Sequence, residues 1–524
     1  MTDLRIGIDV GGTNTDAAAL VGRKVVAAVK TPTTEDVTAG VVQSLELLLA
    51  QGGFSPDQVS AVMIGTTHFT NALMEAKELL PTAVVRLCGG ATRALPPFVD
   101  WPDRLKAAVE GRVFMVAGGL EFDGRQIAAV DPEELRDVAA QIRAAGLQTV
   151  AVSSVFSPVD DGQEKRAVEI LSGELEGVPV SVSSEIGRIG LLERENATIV
   201  NACLRGLADR IVDGFRASVV RLGITAPLYL SQNDGTLMGA EYTNRYPVAT
   251  FASGPTNSMR GAAYLSGETD CAVIDVGGTT SDIGMLRQGF PREASLAVRI
   301  AGVRTNFRMP DVLSLGIGGG SVVRVVNDAV TVGPDSVGHR LLSCGLVFGG
   351  DVMTATDLAV AAGLADIGDP RLVAGLDRGM VNEAMQWIHA QVSETLDRMK
   401  TGPAPIPVVL VGGGSVLFGD AIAGASRVIR PEHFSVANAI GAAIAQIGSQ
   451  IDRIVALEDV GRDAALASAR ADAVERCVAA GAERGTVTVV DIEEVPLSYL
   501  PSNAVRLKVK AVGDLAKESY ADDH

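Results

Sequence analysis

Asp9-Val10-Gly11-Gly12-Thr13-Asn14-Thr15-Asp16 follows the apolar run Ile6-Gly7-Ile8. It returns as Asp275-Val276-Gly277-Gly278-Thr279-Thr280-Ser281-Asp282, after Cys271-Ala272-Val273-Ile274. Six of the eight positions are identical, so the chain carries the same short device twice. Each copy reads as a buried strand running into a tight glycine turn. Paired glycines let the backbone take φ > 0 and come close to a ligand. Consecutive N–H groups at Gly11, Gly12 and Thr13, and again at Gly277, Gly278 and Thr279, then form an anion-binding concavity, to which Asn14, Thr15 and Thr280 add donors. The strand-end carboxylates, Asp9 and Asp275, repel phosphate but suit a hydrated Mg²⁺ that bridges to phosphate oxygens, with Mn²⁺ the alternative ion. Two such turns facing each other would hold a nucleotide triphosphate tail between two lobes. A lone DxGGT is also ordinary turn punctuation; the matched repeat favours a two-lobed phosphate clamp.

The whole composition fits that reading. A chain of 524 residues exceeds one core and divides into several domains. Hydrophobic residues make up 47% and aromatic residues 4%, a balance that suits a large α/β protein with buried parallel strands. A formal charge of −18 argues against nucleic acid and anionic membrane surfaces as partners. Five dispersed cysteines without CxxC spacing read as reduced thiols of a cytoplasmic protein. The N-terminus enters its first strand at once, so no secretory leader is expected.

Outward from the first turn, Ala17 to Leu20 and Lys24 to Val29 read as strands joined by a Gly22-Arg23 hairpin. Thr34 to Leu49 has helical spacing, with Thr34 or Asp36 as N-cap. Val59 to Ile64 is the next strand. It opens into Gly65-Thr66-Thr67-His68-Phe69-Thr70-Asn71, the kind of strand-to-helix turn where open α/β sheets bind ligands. Thr66, Thr67, His68 and Asn71 are therefore substrate-site candidates, with His68 as acid or base. The alternative is that His68 and Asn71 cap the helix. Residues 93–111 read as irregular surface. A single long helix is expected from Leu191 to about Leu222, with Glu193 and Arg194 solvated on it. Ser253-Gly254-Pro255-Thr256-Asn257 is another small-residue turn opening a helix. Gly316-Ile317-Gly318-Gly319-Gly320-Ser321 is either a ligand-contacting loop or a tight strand crossing; Ser253, Gly318 and Gly319 join the substrate candidates. After the strand Val408 to Val411, Gly412, Gly413 and Gly414 would let a purine and its ribose lie against backbone. Ala437 to Ala443 is a small-residue helix suited to close packing. The expected divisions are an N-terminal lobe at 1–190, a second lobe at 191–450 and a small α/β appendage at 451–524.

In order, IDVGGTNTD, GTTHFTNAL, LLERENATIVNA, SGP, IDVGGTTSD, GIGGGS and VGPDS resemble the hydantoinase A/oxoprolinase family. The resemblance covers most of the chain to about Asp357. It implies the actin-like, sugar-kinase and Hsp70-like ATPase superfold, an α/β, ribonuclease H-like architecture, in which VLVGGGS resembles the adenosine motif. The chain departs from the family's commoner long form. It is shorter, the usual His before GTT is Ile64, a His stands instead at 68, and SGPAGG reads SGPTNS. The resemblance implies an ATP-dependent hydrolase of cyclic amides such as hydantoins or 5-oxoproline, working with a separate second subunit, with an oligomer the expected state. Two alternatives stay open: a small-molecule kinase, with Asp234 or Asp311 as base, and an ATPase module that drives a partner.

Overall fold

The computed structural model describes residues 3–33, 37–294, 297–326, 329–498 and 502–516. The opening repeat becomes β1 (Leu4–Val10) and β2 (Asn14–Val21), paired antiparallel, and β3 (Lys24–Pro32) continues the meander. The helix Val37–Gly52 returns the chain to β4 (Val59–Thr66), parallel to β1. The caps expected at Thr34 or Asp36 lie outside the described residues. A separate parallel sheet follows: β5 (Thr82–Leu87), β6 (Arg112–Val116), β7 (Thr149–Ser154) and β8 (Val180–Val182), ordered β6-β5-β7-β8. Next come β9 (Leu228–Ser231) and β10 (Leu237–Gly239), which rejoin the first sheet beside β4.

The second repeat forms β11 (Cys271–Val276), β12 (Ser281–Arg287) and β13 (Phe290–Pro291). The hairpins β14 (Val298–Ile300) with β15 (Val303–Thr305), and β17 (Ser321–Val326) with β18 (Ala329–Ser336), flank β16 (Val312–Leu315), which pairs with β12. β19 (Ile406–Val411) lies parallel to β11, and β20 (Ala425–Ile429) lies beyond it. The order β3-β2-β1-β4-β9 in one half is matched by β13-β12-β11-β19-β20 in the other. This duplicated order is the two-lobed actin-like ATPase architecture.

β21 (Ile447–Ala456), β22 (Thr488–Pro496) and β23 (Ala504–Gly513) extend the first sheet, giving β22-β23-β21-β10-β9-β4-β1-β2-β3. Sheet membership therefore cuts across the expected divisions at 191 and 451. β9 and β10 belong with the first sheet, and the C-terminal strands build onto it rather than stand apart. Each half has its own core. Ile6, Ile8 and Val10 pack with Leu45, Leu48 and Phe215, and Ile274, Val276 and Leu410 pack with Leu358, Ile388 and Val392. Each such buried side chain contributes about 1.5–3 kcal/mol.

Three local expectations are corrected. The single helix from Leu191 to Leu222 is two, Leu191–Cys203 and Arg205–Arg221, because the Leu80 N–H takes the Cys203 carbonyl at 2.8 Å at the break. Arg194 is not solvated. It is 1% exposed and donates to Ser183 Oγ, Ser154 O and Arg188 O, while Glu195 beside it pairs with the buried Arg86. Residues 93–111 are not all irregular surface. They hold the helix Asp103–Val109 and the buried Trp101, whose Nε1 donates to Asn196 Oδ1 at 2.7 Å.

Two helices join the lobes. Ser253–Ser266 packs on the second sheet through Met259 and Ala262, and Ala437–Ala443 packs on the first through Ala439 and Ile440. They lie against each other with no room for a side chain between. A Cβ on Gly261 would sit 1.9 Å from Ala437 O, and one on Gly441 would sit 1.8 Å from Asn257 O. Gly441→Ala is expected to destabilise the protein by ~1–3 kcal/mol or more through forced backbone separation. Urea unfolding of the purified variant measures this, and an unchanged midpoint would show that the helix joint is loose.

Candidate functional site

The two glycine turns close the same way. Gly11 N–H donates to Asn14 O at 3.0 Å, and Gly277 N–H donates to Thr280 O at 2.8 Å. They also meet: a Cβ on Gly278 would lie 3.5 Å from the Thr13 side chain. Each turn is tied down from behind by different means. In the first, Thr33 Oγ1 donates to Gly11 O at 2.7 Å and Thr33 N–H donates to Thr13 O at 3.0 Å. In the second, the N–H groups of Gly319 and Gly320 donate to the carbonyls of Gly277 and Gly278 at 3.0 and 2.7 Å.

That backing decides the role of several glycines. A Cβ on Gly318 would lie 2.6 Å from Thr279 N, on Gly412 2.3 Å from Asp275 Oδ1, and on Gly414 2.6 Å from Gly277 O. Gly318, Gly412 and Gly414 therefore serve close approach of backbone to the second turn, whereas a Cβ on Gly319 would meet the Thr356 hydroxyl at 3.0 Å. Gly12 and Gly413 have open space, since a Cβ there would meet nothing within 4 Å. Thr15 is buried behind the first turn against Thr33, whereas Thr280 at the second is exposed.

Opposite residues of an antiparallel pair share a face. Asp9 stands opposite Asp16, and Asp275 opposite Asp282. Asp9 is 5% exposed. Its Oδ2 accepts from Asn438 Nδ2 at 3.0 Å and its Oδ1 from Asn257 Nδ2 at 3.4 Å. Burial, then the charge of Asp16, pushes the Asp9 carboxyl up to about 6 against these two amides, and Asp275 adds to the push. Asp282 is likewise pushed up to about 6 by burial, and Asp275 is raised by burial with the Ser258 hydroxyl opposing. The strand ends thus share one negative field, relieved only in part by Lys30, which donates to Asp16 Oδ2 at 2.8 Å. Among the described residues, the buried Asp16 Oδ1 and Asn257 Oδ1 find no hydrogen-bond partner. Crowded oxygens and uncompensated charge suit a hard divalent cation. Among the described residues no three His, Cys, Asp or Glu side chains converge as ligands, so most of such an ion's shell would come from water and phosphate.

The Gly65–Asn71 stretch abuts this field. Asp9 pairs with Gly65 and Val10 with Thr66, and a Cβ on Gly65 would lie 2.5 Å from Asp9 Oδ1. Ser253 Oγ donates to Thr66 O at 3.0 Å and accepts from Thr66 N–H at 3.2 Å, so this fully buried side chain braces the loop. Thr67 Oγ1 reaches Val10 O at 3.5 Å. His68 is half-buried, with Nδ1 2.5 Å from Thr66 Oγ1, and burial lowers its pKa while Glu78 opposes. Asn71 is exposed one turn along the helix His68–Glu75, and the first helical N–H is received by Thr66 Oγ1 rather than by His68 or Asn71. The two candidate kinase bases are held in ion pairs: Asp234 with Lys510 at 2.8 Å and Asp311 with Arg292 at 2.7 Å.

Sequence reasoning missed Asn257, Asn438, Lys30 and Thr33. Asn438 is the polar outlier of Ala437-Asn438-Ala439-Ile440, and Asn257 falls in the SGPTNS departure, so a signal existed for both.

Residues 5–175 match the family model described as hydantoinase/oxoprolinase N-terminal region, and residues 194–369 match the one described as hydantoinase/oxoprolinase. The caprolactamase subunit alpha of Pseudomonas jessenii is 26% identical over 84% of this chain and 65% of its own. The acetophenone carboxylase gamma subunit of Aromatoleum aromaticum is 26% identical over 68% of this chain and 53% of its own. An uncharacterized protein of Methanocaldococcus jannaschii is 24% identical over 76% and 62%. The chain thus spans between about half and two thirds of these relatives' lengths. Among solved structures, the ATP-dependent caprolactamase from Pseudomonas jessenii superposes with a TM-score of 0.77 at 18% identity, over 98% of this chain and 88% of that one. Nucleotide-free acetone carboxylase gives 0.69 at 17%, over 99% and 89%. Both share the fold.

The raised carboxyl of Asp9 has a measurable consequence. Its folded value of about 6 lies above its ordinary 3.8, so ionisation of Asp9 destabilises the folded state. That cost sets in as pH rises from about 4 to 6 and is fully present above. Asp9→Asn is expected to stabilise the ligand-free protein at pH 7.5 by up to roughly 3 kcal/mol, with the gain shrinking toward zero near pH 4. Denaturant melts at pH 7.5 and 5 read this out. A variant less stable at both would show that Asp9 is not under electrostatic strain.

Proposed function

This chain belongs to the hydantoinase/oxoprolinase family, and from that membership we propose that it hydrolyses a cyclic amide with ATP. The observation that carries the reading is the contact of the two turns, Thr13 against Gly278, with Asp9 and Asp275 in one field at the strand ends. The N–H groups of Gly12, Thr13, Gly278 and Thr279 cradle the phosphates, while those of Gly11 and Gly277, expected to join them, are spent closing their own turns on Asn14 O and Thr280 O; the open Gly413 faces the adenosine. Asp9 and Asp275 would hold Mg²⁺, which neutralises phosphate charge when bound. Phosphoryl transfer is mostly positioning and charge neutralisation, which this clamp supplies.

An amide carbonyl is a poor electrophile because its nitrogen donates into it. Transfer of the γ-phosphoryl group to that oxygen releases ADP and makes the carbon electrophilic. Water adds to the carbon, the ring nitrogen leaves as the amine and so opens the ring, and a second water hydrolyses the resulting acyl phosphate to carboxylate and phosphate. Thr66, Thr67, His68 and Asn71 lie beside the clamp, where the amide would sit. The caprolactamase relative, by its name, supports a lactam as substrate. The ion pairs that hold Asp234 and Asp311 leave the kinase reading without its candidate bases. The caprolactamase and acetophenone carboxylase relatives are themselves named as subunits, which supports a second subunit working with this chain. We place it in the cytoplasm, where Mg-ATP is at hand and its five cysteines stay thiols. Among the described residues no helix is long and apolar enough to cross a membrane.

The test is ADP release from Mg-ATP with and without 5-oxoproline, hydantoin and caprolactam, with mass spectrometry of the products. Amide-dependent ADP release with a ring-opened product is expected, from the chain alone or mixed with its partner subunit. A stable phosphorylated product would instead establish a kinase, and no turnover in either setting would refute the proposal.

A further inference from the structure

His68 is the one titratable side chain on the loop beside the clamp, and its surroundings define more than its position. Thr66 Oγ1 lies 3.3 Å from the His68 backbone N–H and 2.5 Å from the ring Nδ1. The hydroxyl accepts from the backbone N–H, which has a proton and no lone pair to offer. Its own proton has no acceptor among the described residues other than Nδ1. A hydroxyl carries one proton and two acceptor sites, so the arrangement that uses every partner has Thr66 donating to Nδ1. The ring proton then resides on Nε2, because the bond at one imidazole nitrogen sets the state of the other. Nε2 makes no hydrogen bond to the described protein and is not buried.

Thr66 is anchored through its main chain. Its backbone is held at both N–H and C=O by Ser253 Oγ, at 3.2 and 3.0 Å, and its register beside Val10 is fixed by the sheet. We propose that Thr66 locks His68 as the Nε2–H tautomer, so that His68 acts as a hydrogen-bond donor to the carbonyl oxygen of the cyclic amide and not as a base. This rests on the reading above for the ligand, though not for the tautomer. The chemistry is coherent with transfer to that oxygen. A carbonyl oxygen has two lone pairs; one accepts from His68 and the other stays free for phosphorus. A neutral imidazole orients the oxygen without protonating it, and burial, which lowers the His68 pKa, favours that neutral form. His68 is thus the residue in contact with substrate, and Thr66 the one that positions it.

The protein has five histidines, few enough for their ring nitrogens to be resolved and assigned by ¹⁵N NMR. At pH 7.5 the His68 ring is expected to show a protonated Nε2 and a bare Nδ1, and Thr66→Val to lose that single tautomer. A protonated Nδ1 or an imidazolium in the unmodified protein overturns the assignment. Kinetics test the donor's role. His68→Leu is expected to lower kcat/KM for the amide by ~10- to 100-fold, the loss of one hydrogen bond to substrate. His68→Gln, which keeps an N–H donor, should recover most of it, and the affinity of each variant for Mg-ATP reports its folding. Equal loss in Gln and Leu, with Mg-ATP affinity kept, also overturns the donor role. If no cyclic amide is turned over by the unmodified protein, the functional reading fails, while the NMR result stands or falls by itself.

Discussion

A carboxylate buried at a strand end is the constraint from which most of this structure can be read. Asp9 cannot be left ionised in the protein interior without partners, since burying an unpaired charge is costly. Its partners come from far along the chain. Asn257 stands on one joining helix and Asn438 on the other, and each amide reaches a different carboxylate oxygen. Both helices must come very close to β1 and to each other to do this. The residues that permit it are glycines: Gly7 under Ala439, Gly261 under Ala437, Gly441 under Asn257, and Gly65 against Asp9 itself. The joint between the lobes and the geometry around one carboxylate are therefore the same packing problem. The amides do not remove the strain, because Asp16 lies opposite and Asp275 adds its charge from the other lobe. The remaining strain is directed at whatever cation binds, as is common where a site is built for a ligand rather than for stability.

Much of the fold was legible because it is written twice. A duplicated strand-turn-strand with matched glycines fixed two lobes and placed the turns at strand ends, and Ala437 to Ala443 announced close helix packing by its small residues. What escaped was long-range pairing. Nothing local tells that Leu228–Ser231 returns to the first sheet, or that strands after Ile447 extend it, since a strand's neighbour is set by tertiary packing and not by its own pattern. The break at Leu204 was hidden for the same reason: the N–H that takes the Cys203 carbonyl belongs to Leu80. In sequence Glu193 and Arg194 read as surface charges on a helix; Arg194 and its neighbour Glu195 are not. Only the β5 and β7 strands of the small sheet, bringing Arg86 and Ser153 to Glu195, show them to be interior.

At the site Gly412, Gly413 and Gly414 all read in sequence as a surface for the nucleotide, while the glycines of 316–321 stay open between ligand contact and a tight strand crossing. Gly12 and Gly413 are open, as a ligand cradle needs, but Gly318, Gly412 and Gly414 are glycine because backbone passes backbone there. The distinction is invisible in sequence, since both uses demand the same absent side chain. Asn257 and Asn438 stand out as polar residues in sequence, but their meeting at Asp9 is set by the packing of two helices distant in the chain and by nothing local to either.

The two halves also differ where the repeat says they should match, and the difference has a direction. The first turn is braced by Thr33 at the edge of β3, and its second carboxylate, Asp16, is paired with a lysine. The second turn is braced by the Gly319 and Gly320 backbone, Gly319 O being held in turn by Thr356, and its second carboxylate, Asp282, meets only the Ser314 hydroxyl. The first turn alone lies beside a strand-to-helix loop carrying a histidine. The strand parallel to the second turn's β11 ends instead in Gly412-Gly413-Gly414, which leaves flat open backbone at Gly413. Equivalent strand ends thus present a hydrogen-bonding side chain in one lobe and a bare surface in the other. On the function proposed above, the duplicated scaffold divides its work: the first half meets the substrate, the second receives a planar ring, and the phosphate grip lies between them.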